Sequence, residues 1–173
     1  TVLHYQTLNQ LSIDSETPDG WCSEGEDPFF IVDLNRWPTI SPGWYELKLT
    51  LHSQHKQGLG KLYLDLGAGF NELDTVVLPY QNHIEANRLF RIDRPLLTLR
   101  FDPLEQSGTF SIGQFELHAV PADEIEGRLI QKIQSEHPIY RQKDANTLRS
   151  TISYESCQDI QERLFSLYNG LFG

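Results

Sequence analysis

Residues 44–52 read WYELKLTLH, and in this stretch apolar side chains alternate strictly with polar ones. The apolar set is Tyr45, Leu47, Leu49 and Leu51. A period of two places one set on each face of a β-strand. Residues 61–66 (KLYLDL) and 97–102 (LTLRFD) repeat the pattern. The sequence therefore predicts several strands, each with one face turned towards a core.

Further strands are predicted where apolar residues cluster between turn residues. Residues 29–34 form a nearly continuous apolar run, which is typical of a strand covered on both faces. Shorter candidates are residues 73–78 and 88–92. Within residues 109–120 the inward parity changes at Gly113-Gln114, which indicates a β-bulge or a sharp bend. Short strands separated by Gly, Pro, Ser and Asp turns predict a mainly β fold, a jelly-roll β-sandwich, over residues 1–120.

A helical pattern replaces the strand pattern in the last third of the chain. Apolar residues recur every fourth position and predict a helix over residues 123–135. A second helix is predicted over residues 156–169, with Ser156 and Asp159 as a cap pair. Since helices of this length need a surface to pack on, we expect a C-terminal α-helical extension, residues 121–173, that leads to a downstream domain. We expect the first helix to pack on the sandwich and the second to contribute to a homodimer.

Composition excludes several classes of partner. The 173 residues include 14 Lys and Arg against 24 Asp and Glu, a net charge of −10, which disfavours nucleic acid and anionic membranes. No apolar run reaches the roughly 20 residues of a membrane helix. Cys22 and Cys157 are too few for a disulfide framework, so we expect reduced thiols and a cytoplasmic location, with one long-range disulfide as the alternative. Because the chain lacks Met even at position 1, we expect a piece of a longer protein.

A glycine-rich stretch, residues 64–71 (LDLGAGFN), resembles the first motif of S-adenosylmethionine-dependent methyltransferases. That motif requires a third glycine and a following helix. Here Asn71 stands at the third glycine position, and a strand is predicted next. A tight turn between two strands is therefore the better interpretation. No Gly-x-Ser-x-Gly, Walker-type or His-Glu-x-x-His motif occurs, so no catalytic residue is assigned.

Two groups of residues raise the question of a metal ion. The acidic side chains between positions 14 and 33, where no Lys or Arg occurs, are Asp14, Glu16, Asp19, Glu24, Glu26, Asp27 and Asp33. Calcium binds clustered carboxylates, so a calcium ion and a solvated acidic loop are both open interpretations. His52 and His55 are close in sequence, but zinc would need two further ligands, and we expect exposed turn histidines. No residue is assigned as a metal ligand.

Four residues are candidates for binding a sugar. Trp44, Tyr63, Asp65 and Arg100 share the parity of the polar sets in their strands, so they face away from the core. An aromatic ring can stack on the apolar face of a pyranose, and charged groups can bind its hydroxyls. We expect the four side chains to be partly exposed and close together. The alternative is that the rings cover a helix or loop packed on that face.

A group of sequence segments near the end of the predicted sandwich resembles a known family. Residues 97–104 (LTLRFDPL), 107–112 (SGTFSI) and 115–117 (FEL) form an arginine-containing strand that closes on Asp-Pro, a glycine turn, and a strand ending in apolar-Glu-Leu. This group resembles the non-catalytic N-terminal β-sandwich region of bacterial cell-surface polysaccharide glycosyltransferases of the rhamnan-synthesis type. Galactose-binding-like jelly rolls share parts of it. The resemblance covers residues 43–120 and transfers no catalytic residue.

The resemblance implies an accessory module of a larger bacterial glycosyltransferase. Such a module would bind a glycan or position its own downstream catalytic domain, without a cofactor and without chemistry of its own. The alternative is an enzyme built on a jelly roll, a hydrolase or lyase that acts on polysaccharide.

Overall fold

Two five-stranded antiparallel sheets form a β-sandwich in the computed structural model, which describes residues 3–137, 139–140, 144–148, 150 and 159–172. The strands are β1 Tyr5–Asn9, β2 Leu11–Ile13, β3 Gly20–Ser23, β4 Phe29–Val32, β5 Gly43–Ser53, β6 Gln57–Asp65, β7 Thr75–Gln81, β8 Ala86–Ile92, β9 Thr98–Asp102 and β10 Gly108–Val120. The first sheet has the order β1-β4-β9-β6-β7, and the second has the order β2-β3-β10-β5-β8. The predicted jelly-roll β-sandwich is confirmed.

The core lies between the two sheets and follows the alternation seen in the sequence. Leu47, Leu49 and Leu51 of β5 are fully buried on the inner face of the second sheet. Leu62 of β6 lies opposite Phe101 of β9 in the first sheet, and both are fully buried as well. The outer faces of these strands carry the polar parity, so the alternation decides which side chains point away from the core.

The long strand β10 changes its inward face once along its length. Phe110 and Phe115 both belong to the core although they are five residues apart. In a regular strand, residues separated by an odd number point to opposite faces. One extra residue is therefore accommodated between them, as the Gly113-Gln114 interruption predicts.

The chain divides into two compact units, Thr1–Ala119 and Val120–Gly173. The second unit contains α1, Ala122–Glu136, and α2, Ile160–Gly170, which contact each other. The first of these matches the predicted helix, because the apolar stripe of α1 is its buried face. Asp159 caps α2 by accepting a hydrogen bond from the Gln161 backbone N–H at 2.8 Å. The proposed cap partner Ser156 lies outside the described residues.

Two further expectations concern the whole chain. In the part of the chain that the structure describes, no helix is both long enough and apolar enough to cross a membrane. Cys22 on β3 is a free thiol, and Cys157 lies outside the described residues.

Candidate functional site

A cluster of aromatic and charged side chains lies on the outer face of the first sheet. Tyr63 on β6 and Arg100 on β9 are direct neighbours across the two strands, and Phe29 begins β4 on the other side of β9. The guanidinium carbon of Arg100 lies 3.9 Å from the centre of the Phe29 ring and 4.9 Å from that of the Tyr63 ring, within cation–π range. The aromatic–arginine patch is defined as Asp27, Phe29, Tyr63, Phe70, Arg100 and Asp102.

Two carboxylates orient the Arg100 side chain. Nε and Nη2 of Arg100 donate to the two carboxylate oxygens of Asp102, each at 2.7 Å, and Nη2 also donates to Asp27 at 2.5 Å. The hydrogen bond to Asp102 raises the pKa of Arg100. Burial raises the pKa of Asp102, although its pairing with Arg100 opposes that shift. Such a bidentate pair fixes the plane of the guanidinium group.

Arg100 has further N–H donors for which the described residues offer no hydrogen-bond acceptor. Among the described residues, the hydrogen bonds of Arg100 involve only Nε and Nη2. A guanidinium group carries two N–H donors on Nη1. Since the Arg100 side chain is partly exposed, these two donors can serve a ligand on the outer face of the sheet.

Tyr63 forms the second polar group of the patch. Its hydroxyl donates to Oε1 of Glu72 at 3.4 Å, and its ring packs edge-to-face against Phe70 with the ring centres 6.5 Å apart. Partial burial raises the pKa of Tyr63. Two positions away on β6, Lys61 pairs with Glu105 at 2.7 Å. The patch is thus a group of half-buried rings surrounded by charged side chains.

Asp65 serves the turn that follows β6. Its Oδ1 accepts hydrogen bonds from the backbone N–H groups of Gly67 at 2.9 Å and Gly69 at 3.0 Å. Both glycines have positive φ values, +115° and +76°, in the left-handed region that favours glycine. Because β6 and β7 then pair antiparallel, the glycine-rich stretch is a turn between strands, which confirms the interpretation against a methyltransferase motif.

Trp44 lies apart from the other three candidate residues. It is on β5 in the second sheet, with the parity that faces away from the core, whereas Tyr63 and Arg100 face outwards from the first sheet. Trp44 is only 8% exposed, and the guanidinium carbon of Arg91 lies 5.2 Å from its ring centre. The structure therefore brings Tyr63 and Arg100 together and leaves Trp44 on the opposite side of the sandwich, because β5 and β6 belong to different sheets.

Of the patch residues, sequence reasoning missed Phe29, Phe70, Asp27 and Asp102. Phe29 begins a run that we interpret as covered on both faces, yet its side chain is only half-buried. Asp102 follows Arg100 by two residues on one strand, so the shared parity was a usable signal. Asp27 is 73 residues from Arg100, and no spacing rule connects two such positions.

A cavity of about 600 Å³ lies where the start of β6, the end of β7 and the loop after β9 meet. Its lining includes Gln57, Gln81, Ile84 and Glu85. The tyrosine in the lining, Tyr80, is 4% exposed, and its hydroxyl donates to the Pro103 carbonyl at 2.9 Å. The cavity thus contains polar groups for a ligand, but its tyrosine ring is not available for stacking.

Several acidic side chains between positions 14 and 33 form hydrogen bonds or ion pairs within the sandwich. Asp33 caps the short 3-10 helix Leu34–Arg36, and Glu24 accepts a hydrogen bond from the Ser12 hydroxyl at 2.6 Å. Asp27 is engaged with Arg100. In the described ranges, no three His, Cys, Asp or Glu side chains lie close enough together to hold a metal ion. A calcium ion at this segment stays a prediction.

We compared the chain with family models, curated proteins and solved structures. No family model matches the sequence, and no curated protein matches it. Among solved structures, the chain is similar to a CBM35 module from Paenibacillus barcinonensis, with a TM-score of 0.46 and 12% identity over 66% of this chain and 92% of that one. It is also similar to the C-terminal CBM6 module of the laminarinase LamC from Zobellia galactanivorans, with a TM-score of 0.43 and 15% identity over 65% of this chain and 91% of that one.

Proposed function

We propose that this chain is a carbohydrate-binding module whose glycan-binding surface is the aromatic–arginine patch. The observation that carries the proposal is the fixed position of the Arg100 guanidinium group, which contacts two carboxylates and two aromatic rings. Its Nη1 donors are then available to a ligand. A preorganised donor loses little conformational entropy on binding, so its hydrogen bonds contribute more to affinity.

The chemistry of the patch fits a sugar better than a charged or purely apolar ligand. Tyr63 and Phe70 present half-exposed ring surface for the C–H face of a pyranose. Asp27 is more than half exposed and can accept hydrogen bonds from sugar hydroxyls, while Arg100 donates to them. Because the positive charge of Arg100 is already balanced by Asp27 and Asp102, the ligand itself need not be charged.

The test is a glycan array on the full chain, followed by calorimetry with the glycan that binds best. We expect Tyr63→Ala to weaken binding by roughly 1–3 kcal/mol, the usual effect of removing one important aromatic contact. Tyr63→Phe should retain most of the affinity if the ring stacks on the sugar. Arg100→Lys should lose affinity, because a lysine keeps the charge but not the planar set of donors.

Ile84→Ala is the matched control, because Ile84 is exposed in the lining of the 600 Å³ cavity and lies outside the patch. Its affinity should equal that of the unchanged chain. If Ile84→Ala weakens binding and Tyr63→Ala does not, the sugar binds in the cavity and the assignment to the patch is wrong.

We further propose that this module belongs to a larger bacterial glycosyltransferase and acts in the cytoplasm. The resemblance of residues 43–120 supports the first part, and the scarcity of cysteine supports the second. The chain alone should then transfer no sugar from nucleotide sugars to glycan acceptors. New reducing ends released from a polysaccharide would instead support the alternative, a hydrolase or lyase.

A further inference from the structure

Two histidine rings meet at a site away from the aromatic–arginine patch. His52 lies near the end of β5, and His83 lies in the turn between β7 and β8. Their Nδ1 atoms are 2.5 Å apart, and their ring centres are 4.7 Å apart. A neutral imidazole carries a proton on only one of its two nitrogens, so one Nδ1 donates and the other accepts. The two Nδ1 atoms thus face each other across one short hydrogen bond.

The backbone around the rings fixes this arrangement independently of the rings themselves. The His83 backbone N–H donates to the Leu51 carbonyl at 2.9 Å. The side-chain amide of Asn82 accepts from the Ser53 backbone N–H at 2.8 Å and donates to the Ser53 carbonyl at 2.9 Å. The turn that carries His83 is thus bound to the end of the strand that carries His52.

Gly113 on β10 provides the space that the His52 ring occupies. A Cβ atom at position 113 would lie 2.6 Å from Nε2 of His52, closer than real Cβ contacts allow. Any side chain at this position would therefore displace the ring. The position also offers a way to disturb the histidine pair without changing either histidine.

We propose that His52 and His83 bind a divalent transition-metal ion, of the zinc or nickel type, through their two Nδ1 atoms. Imidazole nitrogen is a preferred ligand of these ions. Metal–nitrogen bonds of about 2.0–2.1 Å in tetrahedral geometry place two ligand atoms about 3.3 Å apart, so the nitrogens must separate by roughly 0.8 Å. Rotation of the exposed His83 side chain provides this movement. Each ring then coordinates through an unprotonated Nδ1 and carries its proton on Nε2.

The surroundings of the two histidines favour a cation whose coordination is completed by water. The pair borders a cavity of about 230 Å³, which is also lined by Asp14, Ser53 and Ser111. The cavity has room for water molecules that complete the coordination, and Asp14 contributes negative charge to it. The net charge of −10 acts in the same direction. Because no third protein ligand is near in the described residues, the site is open and exchangeable, unlike a closed structural zinc site.

The proposal is tested by calorimetric titration of the full chain, free of any histidine tag, with zinc chloride and with nickel chloride. We expect one ion per chain. His52→Gln and His83→Gln should each weaken binding by at least about tenfold, since each removes one of two ligands. Gly113→Ala should weaken it as well, because the new methyl group displaces the His52 ring. His118→Gln is the control, because His118 pairs with Glu116 at 2.8 Å elsewhere on the sandwich.

Two results would overturn the proposal: unchanged binding in His83→Gln, or an equal loss in His118→Gln. If the glutamine variants do not fold, long-range ¹H–¹⁵N spectra of the unchanged chain replace them. Zinc should then shift the Nδ1 signals of His52 and His83. A shift at the other four histidines in their place would contradict the site. The metal site and the glycan site share no residue, so failure of one leaves the other untouched.

Discussion

The hydroxyl group of Tyr80 is a polar group in the interior of the sandwich that forms a hydrogen bond. The ring is buried on β7, and its hydroxyl donates to the carbonyl of Pro103. Burial raises the pKa of Tyr80 to about 12, because a phenolate there would lose its contact with water. The residue therefore contributes to the fold only in its neutral, hydrogen-bonded form.

This pKa predicts how stability changes in alkali. The folded protein holds the Tyr80 proton up to about pH 12, whereas a tyrosine in the unfolded chain loses it near pH 10. Between these values the folded state binds more protons, so the free energy of unfolding should fall as pH rises. Denaturant melts from pH 8 to pH 11.5 measure the slope.

Tyr80→Phe should reduce that slope and also remove the hydrogen bond to Pro103, at a cost of about 0.5–1.5 kcal/mol at neutral pH. Ultraviolet titration at the phenolate absorbance band should show the latest-titrating group disappear from this variant. If the variant instead loses a tyrosine that titrates at an ordinary pKa, the assignment of the raised pKa to Tyr80 is wrong.

Strand β9 shows at the scale of one element how much the burial of a leucine depends on its position along the chain. Leu99 is fully buried in the core, whereas Leu97, just before the strand, is 62% exposed. Leu99→Ala should lower the free energy of unfolding by about 2–5 kcal/mol, since it leaves a cavity in the core. Leu97→Ala makes the same chemical change at the surface and should alter stability by less than about 0.5 kcal/mol.

Urea denaturation of the two variants measures this difference. Because the substitution is the same, any common effect of losing a leucine in the unfolded chain cancels between them. Similar losses in both variants would mean that Leu97 is covered in solution, contrary to its exposure here.

The elements that the sequence predicted correctly are those whose pattern is long enough to read. β5, β6 and β9 alternate over several residues, and α1 repeats its apolar residues from Ile125 to Ile133. β1, β2 and β3 were missed, since their short segments show neither a continuous apolar run nor a sustained alternation. Their order comes from pairing with distant strands, such as β1 with β4 and β3 with β10, and local sequence carries no record of such pairing.

At the scale of the whole molecule, the sandwich core is complete within the first unit. Every residue of the core cluster lies between Leu3 and Leu117. In the second unit, α1 and α2 contact each other, and Leu164 and Tyr168 of α2 are buried.

Deleting residues 156–173 should therefore preserve the thermal transition of the sandwich while exposing the apolar face of α1. Differential scanning calorimetry measures the transition, and light scattering measures the mass. If α2 forms a homodimer, the truncated chain should be monomeric where the full chain is not. Loss of the sandwich transition would show that α2 is required by the first unit.

The candidate site could be predicted only in part, because it depends on how the strands assemble into two sheets. Parity places Tyr63, Asp65, Arg100 and Trp44 on outer faces, but it does not say which sheet each strand joins. The assignment of β5 to one sheet and β6 to the other separates Trp44 from the rest. The long-range pairs, Asp27 with Arg100 and His52 with His83, depend on the same assembly of strands and have no signal in the sequence.

The strand order also has a consequence for solubility at high concentration. The outermost strands are β1 and β7 in the first sheet and β2 and β8 in the second. An open strand edge can recruit the backbone of another chain and start polymerisation. Here β7 contains Pro79, which has no N–H to donate, β2 has three residues, β1 has an irregular register between Tyr5 and Thr7, and β8 carries two arginines. Each edge thus has a feature that hinders amyloid-like growth.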